Sequence, residues 1–135
     1  MRSEIAIVQA WQDAANSQDI DRLLELSAPD IAIVGPRGQG YGHQLLREWL
    51  GRAGLTLTTQ RIFHGGDTIV LAQHGRWQSA ATDGRLSEAQ LASRFRVGDG
   101  RVVEFERYDN LANALMAAQL SDADEFISPT DTAGT

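Results

Sequence analysis

Two charged residues near the end of the chain have side chains suited to acid–base chemistry. Arg107 and Asp109 follow Phe105 at intervals of two in the segment RVVEFERYD. Side chains of a strand alternate between its faces, so a strand here would place all three on one face. A carboxylate at the edge of an apolar cavity can act as acid or base, and a guanidinium can orient it or hold an anionic group. Alternatively, the strand has left the core, Arg107 is exposed, and Asp109 caps the following helix.

Three further residues are candidates with two possible roles each. His74 lies in LAQHGRW, which has no clear alternation, so this histidine faces either inward, as a functional group, or outward. Trp11 and Trp49 fall on the inward faces of two helical patterns, where they are either core residues or walls of a pocket. A metal site needs three or four converging ligands. The chain has no cysteine and no histidine with a ligand-spaced partner, so we predict no metal and no cofactor.

The last two strand-like segments predict a sheet with two different faces. Alternation puts Arg94 and Arg96 on the same face as Glu104 and Glu106 of the next segment, where opposite charges can pair across strands. The opposite face carries mainly apolar residues and is predicted to be core. Its members are Leu91, Ser93, Phe95, Val97, Val103 and Phe105.

A glycine-rich stretch, GPRGQGYG at 35–42, invites comparison with phosphate-binding loops. Gly35 and Gly40 have the G-x-x-x-x-G spacing of such a loop. The second glycine should then be followed by Lys and by Ser or Thr, but Gly40 is followed by Tyr41 and Gly42. A dinucleotide fingerprint also fails, because His43 stands where its third glycine belongs. The stretch therefore predicts a hinge between a strand and a helix.

The elements that position these residues indicate an α+β fold. Three helical patterns with apolar residues at i, i+3 and i+4 precede residue 55, with the short strand IAIV (31–34) before the third. From Leu55 the period changes to two, and glycine-containing turns separate four strands that must run antiparallel. We expect the sheet to curl around the three helices, with a short helix over NLANALMAAQL. Residues 1–120 form a single domain, and 121–135 read as a polar tail.

Composition narrows the class of protein. The chain has 135 residues and a net charge of −6, and all twelve basic residues are arginine. An acidic chain without a dense arginine run is not typical of nucleic-acid binding. The first residues lack the apolar core of a signal peptide, and no apolar run is long enough to span a membrane. These features predict a soluble, cytoplasmic protein with no membrane or nucleic-acid partner.

The order of these segments resembles the nuclear transport factor 2-like (NTF2-like) superfamily, in its SnoaL-like and ketosteroid isomerase-like branch. The resemblance covers roughly residues 4–110. It rests on three pieces: VQAWQDAANSQDIDRLLELSAPDIAIVGP, GHQLLREWL and ASRFRVGDGRVVEFERYD. It implies a curved sheet wrapped on helices into a cone with a ligand pocket, and a homodimer formed through the outer sheet face.

The resemblance also bears on chemistry. The isomerases' aspartate base falls at Gly35, their tyrosine donor at Trp11 and their protonated aspartic acid at Ser93, so steroid-type isomerisation is not expected. SnoaL-like cyclases often place an acid–base aspartate where Asp109 stands, whereas the Asp–Arg–Asp set of related epoxide hydrolases is incomplete.

Two hypotheses remain. The first is an enzyme using acid–base chemistry of cyclase, isomerase or hydrolase type on a compact, apolar or aromatic molecule. The second is a non-catalytic ligand-binding or dimeric interaction module. In the first, Asp109 and Arg107 would be catalytic and His74 a further candidate. The pocket would be lined by Trp11, Trp49, Ser93, Phe95 and Phe105.

Overall fold

The computed structural model describes residues 4–35, 38–52, 55–78 and 86–126, and shows the expected α+β fold. Its helices are α1 (Glu4–Asn16), α2 (Ile20–Glu25), α3 (His43–Arg52) and α4 (Leu111–Ala118). Its strands are β1 (Ser27–Gly35), β2 (Gly38–Tyr41), β3 (Leu55–Gly65), β4 (Thr68–Gln78), β5 (Leu86–Gly98), β6 (Arg101–Tyr108) and β7 (Glu125–Phe126). Within these residues, no helix has the length and apolar character needed to cross a membrane.

The strands form one mixed sheet in the order β2-β1-β6-β5-β4-β3-β7. The four strands predicted from residue 55 onward, β3 to β6, are confirmed and pair antiparallel with their neighbours in sequence. Strand β1 adds the exception, since it runs parallel to β6. Only strands joined by short turns must be antiparallel, and β1 and β6 are separated by most of the chain.

The main core lies between the first three helices and one face of the sheet, which we call the concave face. Strand alternation selects its sheet members, and the 3.6-residue period selects Ile7, Val8 and Trp11 of α1. Ile33, Phe95 and Phe105 stand side by side across β1, β6 and β5 and meet the helices there. The predicted packing of helices against an apolar sheet face is thus confirmed, but Val102 and not Val103 belongs to this core, because the register between β5 and β6 shifts after Arg96.

The opposite face of the sheet, the convex face, is also partly covered. Helix α4 packs over β4, β5 and β6 and buries Phe63, Val70 and Ala92 under its Ala114. The sequence pattern predicted one apolar face, but these residues alternate with concave-face residues along the same strands. The reason is that β3 to β5 are apolar on both faces where α4 crosses them.

The glycine stretch at 35–42 is a hinge that also contributes a strand. Strand β2 pairs with β1 between Gly35 and Tyr41, and then Gly42 begins the turn into α3 at φ +96°. The Gly42 N–H donates to the Ile31 carbonyl at 2.8 Å, and a side chain at Gly40 would collide with Leu45 of α3. Glycine at position 42 therefore fits the positive φ of this turn, and a larger residue at position 40 would force the Leu45 side chain to move.

The end of the described chain returns to the sheet. A single 3₁₀ turn at Asp122–Asp124 leads into β7, which pairs with β3 at Ile62 and Phe63. These residues fall within the segment whose composition indicates a polar tail, so its first part has regular structure.

Candidate functional site

Three aromatic rings form the centre of the concave face. Trp11 lies 5.3 Å from Phe95 and 5.1 Å from Phe105, and the two phenylalanine rings are 5.2 Å apart. The Trp11 indole N–H donates to Ser27 Oγ at 2.8 Å, which satisfies its one polar group. None of the three rings is more than 2% exposed. They form a closed cluster in which each ring packs on the other two.

A chain of neutral polar side chains crosses the same face beside these rings. The Ser93 hydroxyl donates to Gln73 Oε1 at 2.6 Å, the Gln73 amide donates to Gln12 Oε1, and the Gln12 amide donates to Thr59 Oγ1 at 2.6 Å. Gln73 and Ser93 have no exposed surface, and Gln12 is 6% exposed. Buried amides are costly unless they are hydrogen-bonded, and here they satisfy one another.

Of these four polar residues, only Ser93 was predicted from the sequence to line the site. Gln12 follows Trp11 in a helix, and Gln73 lies in the segment without alternation. Either glutamine could equally have been a surface residue. One signal was available for Gln73. It directly follows the apolar run IVLA, in a strand with apolar residues on both faces, and this position indicates burial.

Arg107 stands at the end of the polar chain. It is directly opposite Ser93 on the neighbouring strand, and it is partly exposed whereas Ser93 is buried. Arg107 therefore marks the place where the concave face passes from closed core to solvent. Asp109 comes just after β6 and is exposed, and the neighbouring Asn110, not Asp109, caps α4.

His74 belongs to the other side of the sheet. Its neighbour Gln73 points into the concave face, so alternation directs His74 to the convex face. There His74 Nε2 lies 3.9 Å from a carboxylate oxygen of Glu88, which also pairs with Arg76 at 3.3 Å. The structure thus brings Arg107 and Ser93 together but places His74 apart from them.

The predicted charged face is present, and its centre is partly buried. Arg94 Nη2 lies 2.5 Å from Glu104 and 3.0 Å from Glu106, and the Tyr108 hydroxyl donates to Glu106. Burial alone would lower the pKa of Arg94, but the hydrogen bond to Glu106 and the charge of Glu104 outweigh it and raise that pKa. Burial, then the hydrogen bond to Glu106, raise the pKa of Tyr108.

Beside this charged centre the convex face has a groove of about 550 Å³. Its polar walls come from Asp30, Gln39, Asp67, Arg96 and Glu104, and the 65% exposed Tyr41 also lines it. The groove therefore lies on the opposite face of the sheet from the aromatic cluster and Arg107.

The predictions for Trp49 and for a metal site can be compared with the structure only where residues are described. Trp49 lies within α3, but its side chain is outside the described residues. Among the residues that are described, no three or more His, Asp or Glu side chains come together as a metal site would need.

A comparison with models of known protein families shows to which family this chain belongs. The family model described as the SnoaL-like domain matches residues 8–105, well over half of the chain. The chain belongs to the SnoaL-like domain family. The match includes the segments that carry the resemblance from "VQAW" to β6, and ends at Phe105 before Arg107 and Asp109. No curated protein sequence matches this SnoaL-like domain.

Solved structures show the same fold at low identity. An NTF2-like protein of unknown function from Burkholderia pseudomallei has a TM-score of 0.70 at 21% identity, covering 86% of this chain and 97% of that one. Rv0760c from Mycobacterium tuberculosis, in complex with estradiol-17beta-hemisuccinate, has 0.70 at 23% identity, with 82% and 97% covered. TerC, co-crystallised with polyporic acid, has 0.72 at 19% identity, with 87% and 96% covered. These likenesses establish that the SnoaL-like domain has an NTF2-like fold.

Proposed function

We propose that this SnoaL-like domain binds a small apolar or aromatic molecule at the open end of its concave face, beside Arg107. The observation that carries the proposal is the position of Arg107, partly exposed and directly opposite the buried Ser93. A cation at the rim of an apolar interior can hold a polar or anionic group while the rest of the ligand lies against apolar surface. Structural neighbours that hold small molecules support this function.

The aromatic cluster sets a condition on how such a ligand binds. Trp11, Phe95 and Phe105 touch one another and expose almost no surface. A ligand that used these rings as walls would have to enter as α1 or α3 shifts away from the sheet. A ligand at Arg107 alone needs no such movement. A movement of these helices on ligand binding would therefore distinguish a ligand that enters among the rings from one that stays at Arg107.

A second candidate function is acid–base catalysis at the same site. It is favoured by the exposed carboxylate of Asp109, two residues from Arg107 at the end of β6. Asp109 would exchange a proton with the bound molecule, and Arg107 would orient the carboxylate or hold an anionic group. A positioned carboxylate of this kind typically contributes about 10²–10⁴-fold to a rate.

The test is a thermal-shift screen of the full chain against lipids, steroids and aromatic acids, with each mixture checked by mass spectrometry. A ligand that binds the native state raises the melting temperature by mass action. Recovery of the unchanged ligand supports the binding module, and its conversion supports the enzyme. If no compound raises the melting temperature, the proposal loses its support.

Variants then test the site itself. Arg107→Ala should reduce the shift given by a ligand, while Arg101→Ala, an exposed arginine on the same strand, should leave it unchanged. Asp109→Asn should abolish conversion but keep binding, with Asp99→Asn as the matched control in the preceding turn. Equal behaviour of Arg107→Ala and Arg101→Ala would place the ligand elsewhere.

A further inference from the structure

The outer edge of β3 is a place where another strand could add to the sheet. A strand edge presents backbone N–H and C=O groups that pair readily with a further chain. At Leu57 this edge is satisfied by Asn16 of α1, whose side chain accepts from the Leu57 N–H at 2.9 Å and donates to its carbonyl at 2.8 Å. Further along, at Ile62 and Phe63, it is covered by β7.

The segment that supplies β7, residues 121–126, is held to β3 by a charged clasp. Arg61 Nε and Nη2 donate to the two carboxylate oxygens of Glu125, each at 3.0 Å, and Nη2 lies 3.5 Å from Asp122. The same guanidinium stacks on Phe63, 4.9 Å from the ring centre. Two parallel N–H donors on one carboxylate fix geometry as well as charge.

Specific local structure directs the chain back to this edge. Gln119 ends α4 in the left-handed conformation at φ +60°, and the Leu120 N–H donates to the Leu115 carbonyl at 2.9 Å. Leu120 then packs so closely over Gly65 that a side chain there would overlap it. Ser121 and Asp124 form a capping box around the 3₁₀ turn. The helix end at Gln119, the contact of Leu120 with Gly65 and the capping box of the 3₁₀ turn together position this segment against β3.

The same segment is held weakly enough to be released. Among the residues that the structure describes, it pairs with β3 at two positions, Phe126 is 41% exposed, and the Arg61 side chain is 41% exposed. Ion pairs at such exposure are screened by solvent and salt. Elements with few buried contacts and exposed hydrogen bonds open at low free-energy cost.

We propose that residues 121–126 are a releasable guard segment that keeps the outer edge of β3 from pairing with the same edge of a second copy. Two β3 edges related by a two-fold axis pair antiparallel. The backbone N–H groups of each edge then donate to the carbonyl groups of the other. β3 extends to Gly65 and Asn16 holds its edge at Leu57, so release of the segment frees the edge from Thr58 to Gly65, which is a longer template than the four-residue β2 at the other side of the sheet. The clasp sets how often the edge is free.

The experiment reverses the charge of one clasp partner in the full chain. Glu125→Arg places two cations together, so the amides of residues 61–64 should exchange with solvent roughly tenfold faster than in the wild type. The particle mass measured by light scattering should at least double relative to wild type at the same concentration. The double variant Arg61→Glu/Glu125→Arg restores opposite charges and should return both values to those of the wild type.

Control variants make each outcome decisive. Glu48→Arg makes the same charge change at an exposed position of α3 and should alter neither the exchange nor the mass. Unchanged exchange at 61–64 in Glu125→Arg would overturn the clasp, and faster exchange without a mass increase would overturn the guarding role. Association that appears only when Arg61→Glu and Glu125→Arg are mixed would show exchange of the segment between copies, which also overturns the proposal.

Discussion

At the scale of single residues, we expect the buried polar chain to be sensitive to substitution. Ser93→Ala removes the hydroxyl that donates to Gln73 and leaves a buried carbonyl oxygen with one partner fewer. Loss of a partner by a buried polar group costs about 1–3 kcal/mol. We expect urea denaturation to show a loss of stability in that range. As a control, Ser17→Ala at an exposed position should change the free energy of unfolding by less than about 0.5 kcal/mol. Equal effects of Ser93→Ala and Ser17→Ala would mean that the buried polar chain does not stabilise the domain.

Tyr108 offers a direct reading of the partly buried charges on the convex face. Burial and the hydrogen bond to Glu106 raise its pKa, so the folded state holds this proton more tightly than the unfolded state does. The stabilisation is complete below the unfolded pKa of about 10 and is lost as the pH rises through the folded value. In Tyr41→Phe, Tyr108 is the one remaining tyrosine, so absorbance near 295 nm should show a midpoint above 10. A midpoint at or below 10 would contradict the arrangement.

Residue types explain which parts of the site could be read from the sequence. The pairing of Arg94 with Glu104 and Glu106 follows from alternation alone, and the structure shows these contacts. The partnership of Gln12 with Gln73 spans 61 positions in the chain. No local pattern records it, because a glutamine inside a core looks the same in sequence as one on a surface.

At the scale of elements, the junction of β2 and α3 depends on backbone conformations that few residues adopt. Gly42 has φ +96° and donates to Ile31, so a side chain there would strain the turn. Gly42→Ala should destabilise the domain by about 1–2 kcal/mol. Chemical denaturation measures this cost, with Ala112→Gly, an exposed change in α4, showing the ordinary helix penalty of about 1 kcal/mol. A cost near zero would mean that the turn relaxes freely.

The guard segment should respond to acid. The hydrogen bonds from Arg61 lower the pKa of Glu125, with the Arg61 charge acting in the same direction against burial. A lowered folded pKa gives stabilisation that is present above the unfolded pKa and is lost as the pH falls through the folded value. Amide exchange at residues 61–64, corrected for its intrinsic pH dependence, should accelerate over that acid range. Glu125→Gln should remove this pH dependence, and an identical profile in both proteins would contradict it.

The elements that the sequence predicted are those long enough to show a period, or those that form a short apolar run bounded by proline and glycine. Strands β3 to β6 have eight or more residues each between glycine-containing turns, and α1 shows four apolar positions at helical spacing. β2 and β7 have four and two residues, too few for any period to show. They are strands because a neighbouring edge is available to pair with them, and that information lies elsewhere in the chain.

At the scale of the whole molecule, the two faces of the sheet are covered in different ways. The concave face is filled by α1 to α3, and its polar chain ends at Arg107 near solvent. The convex face is covered by α4 over β4 to β6 but is open over β1 and β2, where Tyr41 is 65% exposed. A ligand site and a protein-contact site can therefore occupy opposite faces without competing.

This open part of the convex face is where we expect self-association into a homodimer. It combines the exposed Tyr41 and Arg96, two residue types that are enriched at interfaces between subunits, with the partly buried Glu104. Arg96→Glu would face Glu104 and its copy in the partner with like charge, and such contacts cost several kcal/mol. We expect light scattering at micromolar concentration to show a dimer for the wild type and association at least about tenfold weaker for Arg96→Glu. Arg47→Glu, at an exposed site on α3, should dimerise as the wild type does. A wild-type monomer, or equal weakening by both variants, would exclude this face as the interface.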